Sequence, residues 1–578
     1  MQHFDHGEDV RLQIISSLAE GADRLVAHEG KKQGYKLLVP LPFSQSVYED
    51  TFERDDKELT NFRTLLNQAD KVLEISASNS NSSQAYADAS RLMLSHSDLL
   101  LAFWNGQQTK YIAGTYPTMK AAYKAGVPII YIPVTETQDS TDANSIAVIT
   151  DAETRKFDIL NPDKQGLEQF AAFIKEYIVS TLLPEHSCDF HDALSLHHQY
   201  DFLAENSYTE STFLNKCFFS FRKSFNLYKS PIDNSSKVAT DNVWEEIKKT
   251  FSKKSRRYAK KYKSCLLWRN LLPIFALIFL VLAINVDAFS VGAIEAYKQH
   301  IKFGFYGAQV LCWFAFWGLV SIQKIICHTY QHHRSYRYIA EYCRISSHLW
   351  SVGYVHSLSS SPLKKSRQFI TSWYCRLLTR NAGFPATHLN LDIDAVQVWL
   401  QCIKNNFLSS QLDYHRRRYD KFIHHSKILN IVAQLLYWFG MLAVVCRGLA
   451  DWLVKNHGMD NIYNLVVIAI AFTIPSVGAF FSTYNNCSGY GSESGTSADM
   501  HSALLDLLNE CNVLCEKLSY EKNPENASTV SPYRNAQLID SNVCYSHVYD
   551  FCERIDKIMN GEVAEWSASS YSNLEKYL

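Results

Sequence analysis

The 578-residue sequence has almost no net charge, because 57 Lys and Arg residues and 58 Asp and Glu residues give a formal net charge of −1. A chain without a positive excess lacks the general electrostatic attraction that draws proteins to nucleic acid. Its composition is not that of a disordered chain either, since 47% of the residues are hydrophobic and 13% are aromatic. We therefore expect roughly two to four folded domains and no nucleic-acid partner.

Three other features that the sequence lacks narrow the class of protein. Its 14 Cys residues are scattered without the spacing of a disulfide framework, which favours reduced thiols in a cytosolic and membrane setting. The His and Cys residues from His186 to His198 lack the tight paired spacing of zinc ligands, so we expect no metal site. Residues 1–20 contain no basic segment followed by an apolar one, so we expect no cleaved signal peptide.

Long apolar runs are present. Four of them are close to the roughly 20 residues that cross the hydrocarbon core of a bilayer: 266–289, 305–322, 428–446 and 462–483. We expect four transmembrane helices in two hairpins, and four buried helices of a large soluble domain are the alternative. Gln309 and Gln434 lie within two of the runs, where a polar side chain usually faces a neighbouring helix or water. They are predicted to contact another helix or to line a pore.

Basic residues give the predicted spans an orientation. They cluster beside three of the runs, at 253–263, 324–337 and 415–427, whereas the short loops within the two hairpins carry few of them. Because positive charge marks the cytoplasmic side, both termini and the central stretch 328–427 are predicted to be cytoplasmic. The basic clusters act as topology signals alone, or they also bind anionic lipid headgroups. Both interpretations remain open.

From residue 11 to residue 133, short apolar runs alternate with segments of helical pattern. The predicted strands read LQIIS, KLLVPLPF, KVLEIS, DLLLAFW and VPIIYIP, with helical segments such as GADRLVAHEGKKQ and ELTNFRTLLNQAD between them. This alternation predicts a parallel sheet of Rossmann type. Ligands of such sheets bind outside the carboxyl ends of the strands.

Three loops are predicted to meet at that edge. Backbone N–H groups at a helix N-terminus attract anions, and both Gly21 and Gly114 stand just before a predicted helix. The predicted ligand-binding residues of the three loops are Gly21, Asp23, Arg24, Pro42, Asn105, Gly106, Gly114 and Thr115. For Asp23 and Arg24 two roles remain open, namely contact with the ligand, or capping and pairing on their own helix.

The same segments resemble the SLOG superfamily of nucleotide-ligand domains. ISSLAEGADRLVA, VPLPFSQSVYEDTF, AYADASR, SDLLLAFWNG and AGTYPTMKAAYKAGVPIIYIP match its order and spacing over residues 10–134. The resemblance implies a Rossmann-like domain that binds nucleotides or nucleotide-derived ligands at its glycine loops. Arg91 matches an Arg of the family in the helix before the third loop, which implies contact with a phosphate.

The chain departs from the SLOG pattern in three places. No first strand precedes ISSLAEGAD, which would leave a sheet edge exposed. The usual Gly-Gly-Thr reads Ala113-Gly114-Thr115, and the Cβ of Ala113 hinders close approach of a phosphate. The hydrolases of the family carry a Glu shortly after Gly-Thr, where this chain has Pro117 and Thr118. Without a carboxylate general base, we expect no catalytic residues.

The membrane half shows a second resemblance. HHRSYRYIAEYCRISSHLW at 332–350, with QLDYHRRRYDKF and IPSVGAFFSTY, resembles the SLATT class of SLOG-associated two-helix effectors over residues 250–520. This resemblance implies pore formation or membrane damage when a nucleotide signal binds.

Together these patterns predict an α/β Rossmann-like N-terminal domain and an all-α membrane domain with four transmembrane helices and cytosolic helical segments. The expected divisions are a nucleotide-ligand domain at 1–135, a helical connector at 136–264, transmembrane hairpins at 265–327 and 428–484, a cytosolic helical region at 328–427, and a cytosolic tail at 485–578.

The expected function is that of a bacterial inner-membrane effector in antiphage or stress defence. It would sense a nucleotide second messenger or other nucleotide-derived molecule, need no cofactor, and permeabilise the lipid bilayer as a homo-oligomer. Two alternatives remain: a membrane-tethered nucleotide phosphoribohydrolase, and a structural or transport membrane protein with a degenerate ligand domain.

Overall fold

The chain forms two compact units, each built from segments that are distant in sequence. The structure is a computed structural model, and it describes residues 13–52, 56–75, 82–108, 110–134, 145–150, 154–158, 168–174, 243–286, 297–321, 323–355, 367–386, 388–391, 393–453, 461–522 and 545–577. What we call the α/β unit combines the described residues of Met1–Tyr208, Tyr342–Ser409 and Asp506–Lys557. The helical unit combines those of Thr209–Glu341, Ser410–Leu505 and Ile558–Leu578.

The α/β unit begins with the predicted alternation of strands and helices. Its elements in chain order are β1 (Gln13–Ile15), α1 (Ala22–Lys32), β2 (Lys36–Leu41), α2 (Gln45–Glu49), α3 (Asp56–Asn67), β3 (Lys71–Ile75), α4 (Ser82–Ser95), β4 (Leu100–Trp104), α5 (Thr115–Lys124), β5 (Ile129–Pro133), β6 (Ser145–Ile149) and β7 (Thr154–Asp158). The expectation of an N-terminal α/β region is confirmed.

Helices account for most of the remaining described chain. They are α6 (Val243–Asn285), α7 (Lys298–Ser321), α8 (Gln323–Leu349), α9 (Arg367–Ala382), α10 (Ile393–Cys402), α11 (Ser409–Leu453), α12 (Asn461–Ser488), α13 (Tyr490–Lys522) and α14 (Tyr545–Tyr577), with one more strand, β8 (His388–Leu391), before α10. A π-helical turn, Ile403–Leu408, joins α10 to α11.

The strands form two four-stranded sheets. The first has the order β1-β2-β3-β8 and is parallel throughout. The second has the order β4-β5-β6-β7, in which β4 and β5 are parallel and the other pairs are antiparallel. The predicted parallel sheet of Rossmann type is therefore not confirmed, because these strands belong to two hydrogen-bonded sheets and the second sheet is mixed.

The core of the first sheet follows from the apolar run in β2. Leu37, Val39 and Leu41 are fully buried and pack with Phe62 of α3 and Ala27 of α1. A nearly continuous apolar run is typical of a parallel strand that is covered on both faces, since neither side of such a strand meets water. This packing places the ends of β1 and β2 at one edge of a rigid sheet.

Strand β8 pairs with β3 although about 300 residues of chain separate them. Its register matches Val72 with His388 and Ile75 with Leu391. Residues 328–427 were expected to be helical throughout, and this expectation is wrong at β8. The four residues HLNL are too short a pattern to indicate a strand. The pairing covers the β3 edge and so removes one unpaired strand edge of the kind that promotes aggregation.

Helix α9 and the residues after it contact both sheets. Arg380 Nε lies 3.1 Å from both carboxylate oxygens of Asp98, just before β4. A few residues later, Lys71 Nζ of β3 donates to the carbonyl oxygens of Ala382 and Phe384. A cation beside the last carbonyls of a helix stabilises its C-terminus. The segment therefore fastens the two sheets to each other.

In the helical unit, α6 packs against α7 and α12. Within the described residues, two helical stretches are long and apolar enough to cross a membrane, Trp244–Ile284 and Ile393–Cys446. Only 17% and 11% of their most apolar windows are buried within the chain. A core helix of a soluble domain would bury most of such a window, so the soluble alternative is the weaker one. The other two predicted spans coincide with α7 and α12, and their crossing of a membrane stays a prediction.

Candidate functional site

The loop after β1 is held together by its own polar groups. Ser16 Oγ donates to Asp23 Oδ2 at 3.2 Å and accepts the Leu18 N–H at 3.1 Å. Burial raises the pKa of the Asp23 carboxyl, although hydrogen bonds from Ser16 and the Ala19 N–H act in the opposite direction. Leu18 adopts φ 56°, a left-handed conformation that is uncommon for a bulky residue. Gly21, with φ 88°, then ends the loop at the start of α1.

Arg24 is packed inside the protein rather than presented at the loop surface. Its side chain is 2% exposed, and its Nη1 lies 2.6 Å from the Glu58 carboxylate of α3. Its Nε donates to the Leu18 carbonyl at 3.0 Å, and its guanidinium stacks on the Phe52 ring at 4.4 Å. Both partners lie outside α1, so Arg24 pairs with other elements rather than on its own helix, and its contact with a ligand stays a prediction.

The loop after β2 is apolar. Pro42 is buried, and Phe43 beside it meets Tyr86 edge-to-face at 5.5 Å and Tyr48 at 6.5 Å. The Tyr48 ring also contacts Phe62 of α3 at 5.6 Å. Pro42 has no backbone N–H, so its contribution to ligand binding would be through shape and apolar contact.

The third loop, after β4, carries the residues best suited to hold an anion. Gly114 is the N-cap of α5 with φ 116°, and neither a side-chain cap nor an acidic residue is present in the first turn. Gly114 and Thr115 are exposed at this end, so the first N–H groups of α5 face solvent and favour negative charge. At α1, by contrast, Asp23 already places a carboxylate in the first turn.

Asn105 and Gly106 shape the start of this third loop. Asn105 Oδ1 accepts the Gln107 N–H at 3.1 Å, and Gly106 has φ 82°. Trp104 donates from Nε1 to the Gln107 carbonyl at 2.9 Å and stacks on Tyr116 with ring centres 5.4 Å apart. The two aromatic rings brace the loop beside the N-terminus of α5.

The predicted site residues therefore fall into two groups. The structure brings Gly21, Asp23, Arg24 and Pro42 to the carboxyl edge of the first sheet, whereas Asn105, Gly106, Gly114 and Thr115 lie at the carboxyl end of β4 in the second sheet. The Thr118 hydroxyl donates to the Gly114 carbonyl at 2.8 Å. Near the position where a hydrolase would need a carboxylate, the side chain is thus bonded to the backbone of its own helix.

Arg91 makes ion pairs with the C-terminal helix. Its guanidinium lies 2.6 Å from Asp550 and 2.7 Å from Glu553 of α14, and 4.2 Å from the centre of the Tyr549 ring. A phosphate at Arg91 would have to displace two carboxylates, so the role implied by the resemblance requires α14 to move.

Asp88 is a residue that sequence reasoning missed. Its carboxylate is 3% exposed and accepts the Ser546 N–H at 2.9 Å, which caps the N-terminus of α14. Burial raises the pKa of Asp88 to about 6, although hydrogen bonds from Gln84 and Ser546 act in the opposite direction. Its partner lies 458 residues away in the sequence, so no local pattern indicates this contact.

The predicted polar residues of the spans differ in their surroundings. Gln309 is half-buried on α7, and Gln434 is exposed on α11. A polar contact between α11 and α12 is made by Asn485 of α12, whose Nδ2 donates to Ser426 Oγ at 3.2 Å and to Asn430 Oδ1 at 2.9 Å on α11. Sequence reasoning missed Asn485, which follows the predicted span.

Glycine lets α11 and α12 approach closely. A Cβ at Gly440 would overlap the Pro475 ring, and a Cβ at Gly478 would lie 3.1 Å from the Ala433 carbonyl oxygen. Small residues at such a contact are typical of helices that pack in a bilayer.

Among the residues described, no group of three or more His, Cys, Asp or Glu side chains is placed to hold a metal ion. The His and Cys residues from His186 to His198 lie outside the described residues. No protein-family model, no curated protein and no solved structure matches the chain. The resemblances to SLOG and SLATT proteins thus depend on the motifs quoted above.

Proposed function

We propose that this protein is a ligand-gated membrane effector. Its α/β unit binds a nucleotide-derived anion, and its helical unit crosses the bacterial inner membrane and permeabilises it. The observation that carries this proposal is the interleaving of the two units, since three segments of one alternate along the chain with three of the other. The chain passes between the units within helices α8, α13 and α14, so a shift in either unit acts on continuous helices.

The proposed ligand-binding site is the third loop. Phosphate oxygens would accept the exposed N–H groups at the start of α5, next to Gly114 and Thr115. Tyr111 and Ile112 of the same loop are 74% and 55% exposed, which offers an apolar surface to a nucleobase. With no carboxylate shortly after Gly114-Thr115, the ligand is bound and not hydrolysed, and the protein is not an enzyme.

In the proposed topology, the two apolar helical stretches, α7 and α12 are the four membrane spans. Both termini then lie in the cytoplasm. Exposed apolar side chains support this arrangement: Leu311, Phe314 and Trp317 on α7, and Trp438, Leu442 and Val445 on α11. Gln309 and Gln434 would face the inside of an assembly of several copies, where polar side chains meet water or one another.

The proposed mechanism is a shift between two conformations. Binding opens the membrane assembly only if the ligand has a higher affinity for the open state than for the closed state. In the present structure, Arg91 is paired with carboxylates of α14. In the ligand-bound state this pairing would be broken.

The test has a binding arm and a membrane arm. The purified full-length chain is titrated with a panel of cyclic and ADP-ribose-type nucleotides, and the membrane potential of expressing cells is measured with and without the nucleotide that binds. Gly114→Val is expected to abolish both responses, because φ 116° disfavours a side chain and the added bulk covers the α5 N-terminus. Gly34→Ala, at φ 80° and outside the three loops, is the control for left-handed strain and should keep both responses. Binding of no member of the panel, or binding without any change in membrane potential, contradicts the proposal.

A further inference from the structure

Five cationic side chains form one exposed face on the first half of α6. They follow the spacing i, i+3, i+4, i+7 and i+8, which places residues on one side of a helix: Lys253, Arg256, Arg257, Lys260 and Lys261. We call this face the basic stripe. Its orientation is set by packing, because the opposite side of α6 is buried against α8.

Two contacts show how the buried side of α6 is held. Ser255 Oγ lies 2.9 Å from His333 Nδ1 of α8, and the Phe251 ring lies 5.8 Å from the Tyr336 ring. Ser255 and Phe251 are buried, whereas Arg256 and Arg257 beside them are exposed. The basic stripe therefore faces away from α8 and is open to a partner.

The basic stripe differs in its charge surroundings from two other lysines of α6. Throughout the part of the chain that the structure describes, no carboxylate forms an ion pair with any of its five residues. The same helix contains a contrasting pair, because Lys248 and Lys249 lie 2.5 Å and 3.8 Å from the Glu245 carboxylate. Five unneutralised cations on one face repel one another and attract an external polyanionic surface.

The stripe continues directly into the apolar part of the same helix. At about 1.5 Å per residue, Lys261 lies about 8 Å before Leu266, Arg257 about 14 Å and Lys253 about 20 Å. The headgroup layer of a bilayer is roughly 5–8 Å deep on each side, and salt screens charges beyond about 8 Å. When the apolar part of α6 is in the hydrocarbon core, Lys260 and Lys261 are at headgroup depth.

We propose that the basic stripe binds the headgroups of anionic phospholipids. Lys260 and Lys261 contact the phosphates, and Arg256, Arg257 and Lys253 contribute progressively less with distance from the bilayer. This inference rests on the proposed membrane crossing of α6. It adds the class of lipid that the helix binds at the membrane surface. A nucleic acid lying along α6 would engage the five cations about equally, so the gradation along the stripe distinguishes the two partners.

The test uses the full-length protein in a neutral detergent, titrated with short-chain phosphatidylglycerol or phosphatidylcholine while its tryptophan fluorescence is recorded. At roughly fivefold per cation near the surface, K260Q/K261Q is expected to weaken phosphatidylglycerol binding about 25-fold. R256Q/R257Q should weaken phosphatidylglycerol binding less, and K260R/K261R should keep the wild-type affinity. The affinity for phosphatidylcholine should be the same in all variants. The control K248Q/K249Q removes the same charge from the same helix and should leave the affinity unchanged.

Several results would overturn the proposal. They are equal phosphatidylglycerol affinity in all variants, displacement of the lipid by an equal concentration of inorganic phosphate, and equal loss at every position combined with binding of a DNA oligonucleotide. Flotation of the wild-type chain with phosphatidylcholine vesicles, after a carbonate wash, tests membrane crossing independently of charge. A chain that does not float contradicts the membrane part of the proposed function as well, whereas one that floats and shows no charge effect contradicts the basic stripe alone.

Discussion

Gly353 is the residue at which three parts of the α/β unit meet. It follows the short turn after α8 with φ 79°, and a Cβ there would lie 2.8 Å from Leu73 Cδ1 of β3 and 3.2 Å from Leu92 Cδ1 of α4. The Tyr545 hydroxyl of α14, 3.6 Å from the same point, donates to the neighbouring Val352 carbonyl. A side chain at this position would be strained by the positive φ and would also displace the two leucine methyl groups.

We therefore expect Gly353→Ala to lower the free energy of unfolding by about 2–4 kcal/mol, through left-handed strain and overpacking together. Gly34→Ala is a matched control, because Gly34 has φ 80° with open space where a Cβ would be. It should lose about 1 kcal/mol from the strain alone. Thermal unfolding of both variants in detergent measures the difference, and equal losses would show that the close packing at Gly353 contributes nothing.

Buried His96 gives the protein a predictable sensitivity to acid. Its Nε2–H donates to the Gly353 carbonyl at 2.8 Å, and burial lowers its pKa from 6.5 to about 3. The unfolded chain binds a proton between these pH values and the folded chain does not. The contribution of His96 to stability is therefore complete above pH 6.5 and is lost as the pH falls toward 3.

This prediction is checked by comparing unfolding midpoints at pH 7.5 and 5 in the wild type and in His96→Gln. The difference between the two pH values should shrink in the variant, whereas His28→Gln, at an exposed position on α1, should leave it unchanged. Asp88 acts in the opposite sense, because its raised pKa makes its contribution fall as the pH rises from 3.8 through about 6. An undiminished pH effect in His96→Gln would contradict the assignment.

Among the elements, α14 is held to α4 by contacts of unequal strength. The ion pairs of Arg91 with Asp550 and Glu553 are partly exposed, and such pairs contribute about 0–1 kcal/mol each. Asp88 is buried, and removing it leaves the Ser546 N–H without its acceptor at a cost of about 1–3 kcal/mol.

We expect Asp88→Ala to speed hydrogen exchange at the start of α14 more than Arg91→Ala does. Exchange of the amides at 545–557, followed by mass spectrometry in the full-length chain, measures the effect of each variant. A larger increase in Arg91→Ala would show that the ion pairs, and not the buried cap, hold this helix.

Strand β8 is the second element whose attachment can be tested. Leu391, its last residue, is 6% exposed, whereas Ile393 at the start of α10 is 42% exposed. Leu391→Asp is expected to release β8, because a buried unpaired carboxylate is costly, and so to accelerate amide exchange in β3 at 71–75. Ile393→Asp adds the same charge two residues later and should leave β3 protected. Unchanged exchange in Leu391→Asp would mean that β3 does not depend on β8.

Over the whole molecule, the segments of the α/β unit are expected to unfold together. Amides at 71–75, 388–391 and 545–557 should lose protection at the same temperature, because contacts at Lys71, Asp88 and Gly353 join them. Exchange measured along a temperature series in detergent tests this. Independent loss of protection at 388–391, while 71–75 stays protected, would contradict this expectation.

The sequence predicts those parts of this molecule whose causes are local. The apolar run KLLVPL and the helical pattern of ADRLVAHEGKK each appear within a dozen residues, and both elements occur as expected. The turns at Gly21, Gly106 and Gly114 are also local, because φ between 82° and 116° favours glycine. Local patterns therefore located the loops of the candidate site.

The parts that sequence reasoning missed depend on partners far along the chain. Lys71 and the Ala382 carbonyl are 311 residues apart, and Arg91 and Asp550 are 459 apart. No periodicity relates such positions, so Arg91 looked available for a ligand when α14 already occupies it. For the same reason Asn485 was missed, because its partners Ser426 and Asn430 belong to another helix.

The pairing of β3 with β8 has a consequence for how the protein is made. A ribosome adds about 5–20 residues per second, so β8 emerges roughly 15–60 s after β3. Within that interval the first two apolar helices, α6 and α7, are synthesised as well. The nascent α/β unit thus waits with an open strand edge while these two helices are synthesised. Its first sheet is completed only on chains whose synthesis has passed β8, so a prematurely ended chain carries an unfinished α/β unit.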